Sequence, residues 1–267
     1  MGDSSGADYK PEWLELEKSL GTRTLLVGDP ANIEEQFNRL LAALDAQRPL
    51  PIPQSRLAIL PQTAFRLGPK YKVPTMLDDS VKAFEWSYKH ASELHASQSQ
   101  LFTIGSSAGG GLALTVAHDL IVAGKKSQIK GIVAMVPVTA HPSSIPAAYK
   151  NHYKSYDENA HDVPIIDLDT MNTFFGAVDA DPLDPRVFVT LSNHLDEFPP
   201  TYIATCGKDP LRDDGQVLEM MLKDKGVTTK SDYYEGVPHY FWLFPGIKGG
   251  DEFLDNVSKG VKFVLGI

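Results

Sequence analysis

The sequence predicts an α/β protein built on a mostly parallel sheet, and three observations carry that expectation. From Arg56 onward, short apolar runs alternate with amphipathic stretches of helical length, the pattern of parallel strands joined by crossover helices. KGIVAMVPV (130–138) is apolar almost throughout, as a strand covered on both faces must be. Residues 100–111, QLFTIGSSAGGG, run from an apolar strand into a glycine-rich turn and then a helix, and in such sheets ligand chemistry gathers at the strands' C-terminal ends.

The N-terminal stretch is helical. PEWLELEKSL (11–20) places Trp13, Leu14 and Leu20 near one face. In GDPANIEEQFNRLLAALDAQ (28–47), Asp29 is suited to the N-cap and Pro30 to the first turn, with Phe37, Leu40, Leu41 and Leu44 at helical spacing behind them. RTLLVG (23–28) is short enough to be a strand or a loop. RPLPIPQ (48–54) breaks the helical pattern with its prolines. A helical cap segment is therefore expected over 1–54 and an α/β core over 55–267.

Within the core, RLAILPQTAF (56–65) reads as a strand interrupted by Pro61, and DDSVKAFEWSYKHASEL (78–94) as a helix. QLFTIGSS is a strand and AGGGLALTVAHDLIVAGK (108–125) a helix closed by Gly124. Residues 140–198 are rich in His, Asp, Asn and Pro and read as an inserted, lid-like segment. PPTYIATCG, DDGQVLEMMLKDKG, KSDYYEG and EFLDNVSKGVKFVLG then complete the alternation as strand, helix, strand, helix.

The 267 residues carry 42% hydrophobic and 22% charged residues and a net charge of −9, which fits one large globular domain and disfavours a nucleic-acid or anionic-membrane partner. Cys206 is the one cysteine, so no intrachain disulfide is expected, and its apolar setting suits a buried structural thiol better than a nucleophile. MGDSSGADYKPEWLELEKSL has neither the basic nor the apolar region of a secretory leader. No apolar run reaches the ~18 residues of a membrane span. A cytoplasmic protein acting on a small molecule is the expectation, with no metal or other cofactor implied. Its oligomeric state is not readable.

Gly105-Ser106-Ser107-Ala108-Gly109 is a G-x-S-x-G at a strand-to-helix junction. That junction is where a serine is held at a strained backbone angle with its hydroxyl projected outward. Ala108 would then present its N–H, at the helix start, to a developing oxyanion. A serine of ordinary acidity needs a base, and the base needs an orienting carboxylate. Asp209, in KDPLRDDG, and His239, in EGVPHYFW, each stand in the turn after a strand and follow the serine in chain order. Asp213 and Asp214 are expected to cap the following helix, and Asp209 has a plainer reading as a turn aspartate. His90, His95 and His118 are expected on helices, and His141, His161 and His194 in the irregular segment.

GSSAGGGLA, DPLRDDG and His239-Tyr240-Phe241 resemble the hormone-sensitive-lipase-like branch of the α/β-hydrolase fold. There the stretches run close to G-D-S-A-G-G-N-L-A, D-P-L-R-D-E-G and G-x-x-H-x-F. AFRLGPKYKVPTMLDDSVKAFEW (64–86) is similar to the same family's Y-R-L-A-P-E followed by F-P-x-x-x-D-D, and the N-terminal helices resemble the cap region of its fungal esterases. The resemblance implies Ser107 as nucleophile, Asp209 as orienting acid, His239 as general base and Ala108 N–H as an oxyanion donor. It also implies a small, short-chain carboxylic ester, such as an acetylated secondary metabolite, as substrate.

The chain departs from that pattern at Ser106, Phe65, Gly68, Lys70 and Gly111. A larger departure is that no His-Gly-Gly-Gly occurs anywhere in the 267 residues, although the family draws its second oxyanion donor from such a loop. The expectation is an α/β-hydrolase fold truncated on the N-terminal side of its sheet, with impaired turnover. The alternative is a catalytically weakened or inactive relative that binds a small molecule. The aromatics Tyr149, Tyr153, Tyr156, Phe174 and Phe175 in the inserted segment either line an apolar pocket or pack on the core.

Overall fold

A computed structural model describes residues 8–21, 23–47 and 65–267. Its centre is a four-stranded, all-parallel sheet in the order β1-β2-β3-β4, formed by Thr103–Ser106, Ile132–Met135, Thr201–Lys208 and Thr229–Pro238. The remaining elements are α1 (Pro11–Leu20), α2 (Pro30–Gln47), α3 (Thr75–Lys89), α4 (Ala108–Val122), α5 (Ser155–Glu158), α6 (Leu168–Ala177), α7 (Arg212–Asp224) and α8 (Gly249–Leu265). The expected strand at 56–65 lies outside the described residues except for Phe65, which is in a coil.

Alternation along the strands separates two cores, because successive side chains leave opposite faces of a sheet. Ile132, Ala134 and Ile203 join Phe84 of α3, Leu114 and Leu120 of α4, and Leu218 of α7 on one face. Val133, Tyr202 and Ala204 join Trp13 of α1 and Phe253 and Val264 of α8 on the other. Helices cover both faces, which is why β2 and β3 are buried at nearly every position. The strand within 130–138 is shorter than the apolar run, since Val136 takes φ 40° and Pro137 follows.

α1 lies against the end of the sheet. Lys10 N–H donates to the Gly236 carbonyl at 2.8 Å, and the Trp13 ring meets Phe244 edge-on at 5.1 Å. Phe37, Leu40 and Leu44 of α2 pack on the same core. RTLLVG does not join the sheet: Leu25 makes a single parallel bridge to Ile165 in the inserted segment. That segment is more ordered than its composition suggested. Asp167 caps α6, its side chain accepting from Thr170 N–H at 3.0 Å, and α5 and three short 3₁₀ turns lie within the otherwise irregular remainder. Among the described residues, no helix is long and apolar enough to cross a membrane.

Candidate active site

β1 ends at Ser106, and Ser107 stands between strand and helix with φ 55° and ψ −124°. Three backbone hydrogen bonds pin it there: Ser107 N–H to Met135 O at 2.9 Å, and Gly111 N–H and Val138 N–H to Ser107 O at 3.1 and 3.3 Å. The turn is this sharp because Gly105 has no side chain; a Cβ there would lie 2.1 Å from the Gly109 carbonyl oxygen. Positive φ on a non-glycine residue is costly and persists only where the surroundings enforce it. Ser107 is half-buried and Ala108 exposed. Ala108 N–H, in the first turn of α4, has no acceptor within its own helix.

Asp209 and His239 meet because their strands are neighbours. The β3–β4 register runs from Cys206↔Tyr234 to Lys208↔Pro238, so two steps along β3 match four along β4. That irregularity, with Gly236 at φ 66°, brings the first residues past the paired ends side by side. His239 Nδ1 lies 2.7 Å from Asp209 Oδ2, with the two side chains 1% and 0% exposed. Asp209 is held rigidly. Its Oδ1 accepts from Leu211 N–H at 2.8 Å and its carbonyl from Asn159 Nδ2 at 3.2 Å. With Nδ1–H donated to the carboxylate, Nε2 carries a lone pair, and this buried atom has no hydrogen-bond partner among the described residues. Ser107 and His239 are not hydrogen-bonded to each other.

Tyr240 occupies the corner between them. It follows His239 in the left-handed region at φ 58°, its ring 4.3 Å from the imidazole and 6.0 Å from Phe37. Its hydroxyl pairs with Ser106 Oγ at 3.1 Å. Burial pushes the phenol's pKa up, and the hydroxyls of Ser106 and Ser107 act against that rise. Residue 240 stood within the H-x-F pattern, but nothing in the sequence marked its side chain as part of the site.

Asp213 and Asp214 do not cap α7. Both sit in its first turn and tie other segments to it. Asp213 accepts from Lys154 and Ser155 N–H at 2.6 and 2.7 Å. Asp214 accepts from Thr139 and Ala140 N–H at 2.8 and 3.0 Å and from the Tyr153 hydroxyl at 2.7 Å. Full burial is the largest influence on Asp214 and raises its pKa to about 7. Of the aromatics of the inserted segment, Tyr149 and Tyr153 bond to α7, Tyr156 is buried and Phe175 meets Phe188 edge-on at 5.5 Å, while Phe174 is exposed.

Of the other histidines, His118 pairs with Asp119 and His194 with Glu197, and His141 meets Phe175; His118 lies on α4, but His90 stands just past α3, stacked on Trp86, and His95 in a turn beyond it. Cys206 is fully buried, which holds its thiol well above its ordinary pKa. Among the described residues, no group of three or more His, Cys, Asp or Glu side chains is arranged to hold a metal.

Comparison with known proteins agrees with this architecture. Residues 58–243 match the family described as alpha/beta hydrolase fold. The chain is 43% identical over 204 residues to a versiconal hemiacetal acetate esterase of Dothistroma septosporum, covering 75% of this chain and 62% of that protein. It is 36% identical over 205 residues to the versiconal hemiacetal acetate esterase stcI of Emericella nidulans, covering 75% and 70%. Among solved structures, vibralactone cyclase superimposes with a TM-score of 0.70 at 31% identity, over 76% of this chain and 60% of that one. The thermophilic carboxylesterase EstE1 shares the fold with a TM-score of 0.67 at 24% identity, over 91% and 79%. The chain thus spans about three-fifths of the length of the first of these curated relatives. With four motifs in order, a parallel sheet and a family match over most of its length, this chain belongs to the hormone-sensitive-lipase-like branch of the α/β-hydrolase fold family.

Proposed function

We propose that the chain is a serine hydrolase that cleaves small carboxylic esters through an acyl-enzyme. The observation that carries this reading is the buried His239–Asp209 pair at 2.7 Å, whose outward nitrogen has no partner. It stands at the same end of the sheet as the strained Ser107. Asp209 holds the imidazole in the tautomer that leaves Nε2 free to accept a proton. Ser107 Oγ turns onto Nε2, gives up its proton and attacks the ester carbonyl. Ala108 N–H donates to the oxyanion. Collapse of the tetrahedral species returns the proton from His239 to the departing alcohol, and water repeats the sequence to release the acid.

Short acyl chains, including acetates of secondary metabolites, are the substrate class, since two similar fungal proteins bear the name versiconal hemiacetal acetate esterase. A cytoplasmic location accompanies this reading.

A second reading, a weakened relative that binds a small molecule without turnover, draws on one specific observation. Ser107 is not hydrogen-bonded to His239, and the Tyr240 hydroxyl sits at this corner on Ser106. Hydrolysis of p-nitrophenyl acetate by the purified protein, beside Ser107→Ala, decides between the two. Turnover that disappears with the substitution supports the esterase. Equal background rates, with no fluorophosphonate label on Ser107, refute it and leave the binder.

A further inference from the structure

An ester hydrolase of this kind needs two hydrogen bonds to its oxyanion, and Ala108 N–H supplies one. We propose that the Tyr240 hydroxyl is the second donor, resting on Ser106 until the tetrahedral intermediate forms at Ser107. This inference rests on the esterase reading above.

The hydroxyl is held at the elbow, on the residue next to Ser107. The left-handed backbone at Tyr240, directly after the base, folds the side chain back toward the elbow. His239, Trp242 and Phe37 surround its ring at centroid distances of 4.3, 5.2 and 6.0 Å. Such packing restricts the ring, so little rotamer freedom is lost when the hydroxyl engages a ligand. A donor that is already oriented needs little reorganisation as charge develops, which is what makes an oxyanion contact effective.

The partner it now holds is one it can exchange. Ser106 Oγ is 3.1 Å away, long for a hydroxyl–hydroxyl bond, which is commonly near ~2.7–2.8 Å. A serine hydroxyl can donate as well as accept. Ser106 can therefore turn its own proton toward the phenol oxygen while the phenol donates to the oxyanion, and neither hydroxyl is stranded. A carboxylate in place of Ser106 would instead hold the phenolic proton permanently. Burial also keeps the phenol in its protonated, donating form. No covalent bond forms at Tyr240, which keeps its proton throughout; the proton taken from Ser107 resides on His239.

The test is Tyr240→Phe, which keeps the ring and removes the donor, assayed with p-nitrophenyl acetate. The expected result is a fall in kcat of ~10²-fold with KM within about twofold, since the lost contact exists only in the transition state. Inhibition by phenylboronic acid, a tetrahedral mimic at the serine, is expected to weaken in parallel. Where the variant does not fold, 3,5-difluorotyrosine at position 240 takes its place. Its more acidic phenol, followed by phenolate absorbance, should lower kcat as it ionises, because a phenolate has no proton to donate.

An active wild type with an unimpaired Tyr240→Phe, a change in KM alone, or a fluorotyrosine protein with the wild-type pH profile each overturns the role of Tyr240 and leaves the esterase reading standing. A wild type inert to both ester and fluorophosphonate overturns the two together.

Discussion

Replacing Asp214 by Asn should make the protein more stable relative to the wild type as the pH rises, and the size of that effect follows from the carboxylate's surroundings. Asp214 is completely buried, with a pKa raised from 3.8 to about 7 chiefly by loss of hydration. Its three hydrogen-bond donors only partly offset that loss. Because the folded pKa lies above the unfolded one, the native protein holds the proton between about pH 4 and pH 7 while the unfolded chain has released it. Stability therefore falls as pH rises through that window and levels off above it.

At 1.36 kcal/mol per pH unit, the interval between 3.8 and about 7 corresponds to about 4 kcal/mol. Asparagine can keep Oδ1 toward the Thr139 and Ala140 N–H groups and turn Nδ2 toward the Tyr153 oxygen, and it does not titrate. Urea unfolding of both proteins at pH 5 and pH 8 measures the difference. Its change between the two pH values, in favour of Asn at the higher one, should approach about 3 kcal/mol, the share of that interval lying above pH 5. A difference that is the same at both pH values would refute a buried, proton-holding carboxylate at this position.

Two further substitutions probe the site itself. Asp209→Asn places an amide against His239 Nδ1 where a carboxylate now accepts at 2.7 Å. It favours the wrong tautomer, so kcat for p-nitrophenyl acetate should fall by about 10⁴ with little change in KM. Gly105→Ala puts a methyl group 2.1 Å from Gly109 O and 2.4 Å from its carbonyl carbon. Both are backbone atoms, so the turn itself must move. Denaturant unfolding should show a loss of about 3 kcal/mol, at the upper end for overpacking, and fluorophosphonate labelling of Ser107 should cease.

The sequence alone determined the fold class and the chain order of the candidate site residues. The continuous apolar run at 130–138 required a sheet covered on both faces, because such a strand has no polar side to offer water. Gly105, Ser107, Asp209 and His239 were legible because strand-to-turn junctions are local, readable within a few residues of punctuation. RTLLVG was not legible. Six residues carry too little periodicity to tell a strand from the single bridge that Leu25 makes with Ile165. Asp213 and Asp214 looked like helix caps because a carboxylate in a first turn ordinarily serves its own helix. Apart from Arg212 on Asp213, their partners, at residues 139–140 and 153–155, are distant in the chain and are supplied by packing.

Tertiary structure also decided the pairing of His239 with Asp209. That contact depends on the irregular β3–β4 register, and register is a relation between strands that no single strand's sequence encodes. The position of Tyr240 is of the same kind. Its backbone angle and its place against Ser106 and Phe37 arise where β4, α2 and the elbow converge, and each of those segments, read alone, is compatible with a tyrosine that points elsewhere.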